Sequence, residues 1–254
     1  VSAGGRVFYV MDEGSRVSIQ LPARWTLVAR DAFNGVILWK KPMKKWHSHL
    51  WPLKSGPTQL ARRLVAMKGR VYITLGVDEP VSVLDAATGE LIHELPGSKG
   101  AEEIIVEGGQ VFVLESPEEW ELNSFLPFHN TGDQARIQRD FAWNKKKRDV
   151  KAYDSVTGKR IWGHNNKVAP LTMTADEHRV FFHDGEKVVA LNRSSGDVAW
   201  SAGKSFLPAE VRFNFGPKLV SHDGVVLYAG GDRTMKAIDA KTGNVRDEIV
   251  IPKG

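Results

Sequence analysis

Five segments of the chain follow one pattern, Ala-x-Asp-x-x-Thr-Gly-x-x-x-Trp, and no other feature narrows the possible folds so far. The fullest copy ends at Trp162, within Lys151 to Trp162; the others are Ala29 to Trp39, Val83 to His93, Ala190 to Trp200 and Ala237 to Asp247. Each position has a physical reason. An alternating apolar strand leads into the copies, as in Val189-Ala190-Leu191. The Asp (Asp31, Asp85, Asp154 and Asp239, with Asn192 in the remaining copy) accepts from backbone N–H groups two residues on and starts a turn. The Thr, Ser or Asn three residues later donates back to it. Gly35, Gly89, Gly158, Gly196 and Gly243 follow and take positive φ at little cost, as a hairpin loop of four or five residues requires. A second strand leaves the turn and carries Trp39, Trp162 or Trp200 four residues on. The small Ala of the incoming strand is expected to leave room for a large ring from a neighbouring unit.

The spacing turns hairpins into an architecture. From glycine to glycine the intervals are 54, 69, 38 and 47 residues. The shortest is close to the roughly 40–45 residues of a four-stranded propeller blade. A second hairpin stands upstream of each copy, at Gly5-Arg6-Val7, Gly69-Arg70-Val71, Gly109-Gln110-Val111, His178-Arg179-Val180 and Gly224-Val225-Val226. Each unit therefore reads strand, turn, strand, loop, strand, Asp-x-x-Thr-Gly turn, strand. The expected fold is all-β, a single-domain β-propeller of four-stranded antiparallel blades over residues 1–254. The blades fall at about 1–42, 61–98, 101–165, 168–203 and 211–254, and an insertion at 117–147 explains the longest interval. The first blade lacks much of its inner strand. Five repeats predict an incomplete ring, or one completed by residues outside this chain.

The repeat resembles the tryptophan-docking repeat of PQQ-like propellers, a superfamily with quinoprotein alcohol dehydrogenases and the propeller lipoprotein of outer-membrane protein assembly. His93 and Asp247 stand where the family has Trp, and Val83 where it has Ala, so docking at blades two and five must differ. The segments Ala29-Arg30-Asp31-Ala32-Phe33-Asn34-Gly35 and Trp51-Pro52-Leu53-Lys54-Ser55-Gly56-Pro57 resemble a bacterial subgroup of PQQ-like repeat proteins. Some of its members carry a methyltransferase domain beyond the propeller; nothing in this chain matches one. The resemblance favours a periplasmic or extracytoplasmic setting. A quinoprotein dehydrogenase would hold PQQ on the axis under a Trp, with Ca²⁺ on carboxylate and amide oxygens and an Asp base. No residues here match those, so no cofactor is predicted, and PQQ with Ca²⁺ has no specific residues behind it.

Composition sets further bounds. With no Cys among 254 residues, disulfides and thiolate chemistry are excluded. No run approaches the roughly 18 apolar residues of a membrane span. The first residues read as the end of a strand rather than as a signal peptide, which predicts an excised or mature piece of a longer protein. The formal net charge of +5 is dispersed and has no recognition motif beside it, which argues against nucleic acid as the partner.

Three clusters are candidate binding sites. In the first long loop, Trp46, His47, His49 and Trp51 line a ligand or partner pocket, or form an aromatic plug over a blade end; two His without a carboxylate make a thin metal site. Arg62 and Arg63 open blade two, and Glu102 and Glu103 open blade three, at equivalent places on the innermost strands. They are expected to pair across neighbouring blades, either holding an anionic ligand at a channel mouth or satisfying each other around a wet tunnel. Arg212 and Asn214 precede the inner strand of blade five and point into the central mouth or cap a turn. The insertion carries aromatic residues, a short helix over Gln134–Lys145 and the basic run Lys145-Lys146-Lys147-Arg148, which engages a partner or is simply solvated. No Ser/His/Asp arrangement, Walker loop, dinucleotide fingerprint, EF-hand or zinc spacing is present, so no catalytic residue is named. The functional expectation is a non-catalytic protein-interaction or ligand-binding module of a larger bacterial protein, with a protein partner or its remaining domains. The alternatives are a PQQ-dependent dehydrogenase fragment and an accessory domain of a fused enzyme such as a methyltransferase.

Overall fold

The computed structural model describes residues 1–18, 21–46, 58–116, 147–202, 218–230, 233–250 and 252. Within them twenty strands form five four-stranded antiparallel sheets, each built from consecutive strands apart from the turn-rich connections. Blade one comprises β1 (Ser2–Ala3), β2 (Arg6–Asp12), β3 (Trp25–Asp31) and β4 (Ile37–Pro42). Blade two holds β5 (Leu64–Met67), β6 (Arg70–Thr74), β7 (Val81–Asp85) and β8 (Leu91–Glu94). Blade three holds β9 (Ala101–Glu107), β10 (Gln110–Glu115), β11 (Lys147–Asp154) and β12 (Arg160–Lys167). Blade four is β13 (Thr174–Ala175), β14 (Arg179–His183), β15 (Val188–Asn192) and β16 (Val198–Ala202). Blade five is β17 (Lys218–His222), β18 (Val225–Ala229), β19 (Thr234–Asp239) and β20 (Val245–Val250). A 3₁₀ turn, Thr58–Arg63, precedes β5 and packs against β9. No helix among the described residues is long and apolar enough to cross a membrane.

The repeated turn forms as its chemistry dictates. Oδ1 of Asp154 accepts from the N–H groups of Val156 (3.0 Å) and Thr157 (2.7 Å) and from the Thr157 hydroxyl (2.8 Å). Asp85 and Asp239 do the same with Thr88 and Thr242, and Asp31 takes the two backbone donors. Gly158 then turns the chain at φ 71°, and its N–H returns to the Asp154 carbonyl at 2.9 Å. A β-bulge follows the template Ala, or Val83, in every blade, so the strand pairing shifts at one equivalent place five times.

The register corrects one expectation. Ala29, Val83, Ala152, Ala190 and Ala237 lie directly opposite Trp39, His93, Trp162, Trp200 and Asp247 of their own sheets. The small residue makes room for the ring of its own blade, and that ring leans on the next blade. The core is accordingly a series of sheet-on-sheet layers. Phe8, Leu27 and Ala29 face Val71, Ile73 and Leu84. Tyr72 and Val83 face Val111, Val113 and Tyr153. Phe112, Ala152 and Trp162 face Val180, Phe182 and Leu191. Phe181 and Ala190 face Val226, Tyr228 and Ile238. The first strands follow one another around the axis as β1, β5, β9, β13 and β17, and the ring is not closed. The short β1 matches the abbreviated inner strand expected of blade one.

Candidate functional site at the propeller axis

Glu102 and Glu103 stand on the inner strand β9 as expected, whereas Arg62 and Arg63 end the 3₁₀ turn before β5 instead of opening its strand. Glu102 accepts from Nε of Arg148 at 2.6 Å, and both side chains are less than a tenth exposed. Arg148 enters from β11 of the same blade. It lies at the end of the basic run read as solvated or partner-facing, and is instead buried. Glu103 is buried too, and its Oε1 accepts the N–H of Leu171 at 2.5 Å. Burial pushes the Glu103 carboxyl up to about 7, against the attraction of Arg62, the Leu171 N–H and Lys218 and with the repulsion of Glu102. Arg63 is fully buried, donates from Nη1 to the Val77 carbonyl at 2.8 Å and lies over the Trp46 ring at 5.9 Å. Burial brings it down to about 10, with Glu102 and Asp78 opposing. Across the two blades Arg62 attracts Glu103, and Glu102 attracts Arg63.

Trp46 is buried, with the Arg63 guanidinium over its ring. His47, His49, Trp51, Arg212 and Asn214 lie outside the described residues, as do 117–146 of the insertion with its expected helix. At the rim between blades four and five a cavity of about 490 Å³ is lined by Asp176, His178, Arg179, Asp239, Lys241 and Arg246. Two of its charges serve one another: Arg246 holds Asp239 at 2.5 Å and keeps that carboxyl below its ordinary range.

The blade contacts are the most regular feature. Trp39 Nε1 donates to the Ala86 carbonyl (3.1 Å), Trp162 to Arg193 (2.8 Å) and Trp200 to Ala240 (3.1 Å). Each acceptor is the residue after the turn Asp or Asn of the following blade. The same rings cover the turn glycines, so that a Cβ on Gly89 meets Trp39, one on Gly196 meets Trp162 and one on Gly243 meets Trp200, all at 2.7–2.8 Å. In blade two His93 takes this place over Gly158.

Residues 146–249 match a family model described as "Outer membrane protein assembly factor BamB". These residues run from the start of β11 almost to the end of β20. That segment is PQQ-like, and the described chain as a whole has the fold of an open β-propeller. Among solved structures, the computationally designed Ika8 protein is similar over 98% of this chain and 60% of its own, with TM-score 0.61 and 14% identity. A europium-containing methanol dehydrogenase aligns over 97% of this chain and 49% of its own, at 12% identity and TM-score 0.56. The quinohemoprotein alcohol dehydrogenase from Comamonas testosteroni aligns over 91% and 41%, at 15% identity and TM-score 0.53. The chain thus spans 41–60% of the length of these neighbours, and at such identities the likeness is one of fold. No curated protein sequence matches it significantly.

The described axial residues fit a PQQ–Ca²⁺ group poorly. Glu102 is committed to Arg148, and burial pushes the Glu103 carboxyl up and so disfavours its charged form, whereas Ca²⁺ calls for several ionised or carbonyl oxygen ligands. Among the described residues no group of three His, Cys, Asp or Glu side chains converges as a metal site. Arg148, Lys218 and Arg193 are the residues that sequence reasoning missed. Arg193 ties Gln110 Oε1 (2.7 Å) and the Gly108 carbonyl (2.5 Å) of blade three to blade four, and only its place after Asn192 hinted at an interface role.

Proposed function

We propose that the chain is a non-catalytic module that binds a protein partner or ligand within a larger protein. The observation that carries this reading is the commitment of the axial charges to internal contacts: Arg148 on Glu102, the Leu171 N–H on Glu103, and Val77 and Trp46 on Arg63. A catalytic centre needs a titratable group within reach of a bound substrate. These contacts tie β9 to β11 and to the chain at Leu171, and the 3₁₀ turn to the Val77 loop. The family description, an assembly factor, names a task that a surface performs. The test is a dye-linked alcohol oxidation assay with excess PQQ and Ca²⁺. The reading predicts turnover at the background rate. Turnover that depends on PQQ and is lost in Glu103→Gln contradicts it.

A further inference from the structure

Four blade interfaces repeat one arrangement, and the two ends of the array break it in complementary ways. At each interface a row such as Phe8–Ala29–Trp39 on the front of one blade covers the residue that precedes the turn Asp or Asn of the next blade. Those residues are Leu84, Tyr153, Leu191 and Ile238, all buried. On the back of blade one the equivalent position holds Arg30. Its Nε donates to the Tyr9 hydroxyl and its Nη1 to the Gly35 carbonyl, both at 2.6 Å, which places the guanidinium at the turn. No ring covers that turn, for a Cβ built on Gly35 meets nothing within 4 Å. Val7, Tyr9 and Met11 share this half-buried face, bordered by the Lys40–Glu13 pair.

On the front of blade five the ring position holds Asp247. By register Val220, Leu227, Met235 and Ile249 share its face, and they are 57%, 47%, 41% and 57% exposed. Both ends therefore present charge where the interior interfaces present an aromatic ring or a buried side chain, and the charges are opposite. Superposed on an interior interface, the Asp247 carboxylate takes the place of the indole and meets a guanidinium at the glycine turn. Such a pair, partly desolvated and capable of two parallel hydrogen bonds, adds register to an apolar contact. Within one chain the two faces are not joined, since the blade-five face is open to solvent and the Gly35 turn is uncovered.

We propose that the front face of blade five docks on the back face of blade one in a second copy of this chain, head to tail, with Asp247 on Arg30. The contact is heterologous, so copies close into a ring or extend according to the rotation at each step. It does not depend on the absence of catalysis at the axis.

The test is sedimentation velocity of the purified chain from about 1 to about 100 μM. The proposal predicts association that grows with concentration and is weakened at least tenfold by Asp247→Arg, by Leu227→Lys, or by Arg30→Asp. Because Arg30 also holds Tyr9 and Gly35, circular dichroism of that variant confirms its fold before it is compared. An equal mixture of the Asp247→Arg and Arg30→Asp chains should associate again, because one altered face then meets the other. A wild type that stays monomeric throughout overturns the proposal. So does association indifferent to both Asp247→Arg and Leu227→Lys, or charge-swap rescue confined to the double variant, which would mean closure within one chain.

Discussion

Glu103 sits where a carboxylate is most costly, on the inner strand β9 with its side chain buried. Its folded-state value near 7 lies above the ordinary 4.5, so the folded chain holds this proton more tightly than the unfolded chain does. The resulting contribution to stability is full below about 4.5 and is lost as pH rises through about 7, a difference on the order of 3 kcal/mol. Denaturant unfolding at pH 5 and pH 8 should show Glu103→Gln losing less stability over that rise than the wild type. Parallel pH profiles would contradict the burial argument. His93 acts in the opposite sense. Burial, helped by Arg70, lowers its value below 6.5, so its contribution is present above that value and lost as pH falls below it. Replacing it by the ring used in other blades, His93→Trp, should remove the acid-side loss in a thermal melt. The partners of these residues were hidden from sequence reasoning for a plain reason. Arg148 stands 46 residues from Glu102, in a run of four basic residues that looks solvated, and only the β10–β11 pairing turns it inward. His93, by contrast, was legible as a substitution at a fixed position, though not its contact with Gly158.

At the scale of the element, the hairpin turn and the ring are one device. The Asp-x-x-Thr-Gly turn was readable because its hydrogen bonds span only three or four residues. The partner of the ring was not, because Trp39 reaches a carbonyl 47 residues on, and the cross-strand place of Ala29 requires the bulge that the sequence does not announce. Two glycines separate the effects. Gly35 and Gly243 have nearly equal φ, 74° and 78°, but only Gly243 has a ring against it. Gly35→Ala should cost about 1–2 kcal/mol from the left-handed backbone alone, and Gly243→Ala about 2–4 kcal/mol because the Trp200 ring must also give way. Chemical denaturation of the pair checks this; equal losses would mean that the ring contact contributes little. Trp162→Ala should cost about 3–5 kcal/mol, since the ring is almost fully buried, and Trp162→Phe about 1–2 kcal/mol, mainly the bond to Arg193.

For the whole molecule, five sheets stacked in sequence behave as an array in which each blade's stability depends on its neighbours. Blade number and antiparallel order were legible from the five template copies and their spacing. The open ring followed from that count, but which faces it leaves bare did not, because exposure of Leu227 and Ile249 depends on what stands beside β20. Of the inner charges, Glu102 and Glu103 stand on the strand expected of them, and Arg62 and Arg63 in the 3₁₀ turn just before theirs. His47, His49, Trp51, Arg212 and Asn214 lie outside the described residues, so the mouth of the axis rests on Arg62, Arg63, Glu102 and Glu103. The account turns on those four being structural rather than a seat for a cofactor. Calorimetric titration of the chain with PQQ, with and without Ca²⁺, tests it most directly. The expected result is no saturable heat up to about 100 μM, an affinity weaker than roughly 5.5 kcal/mol. Stoichiometric, Ca²⁺-dependent binding that Glu102→Gln or Glu103→Gln abolishes would show that the axial carboxylates serve a cofactor.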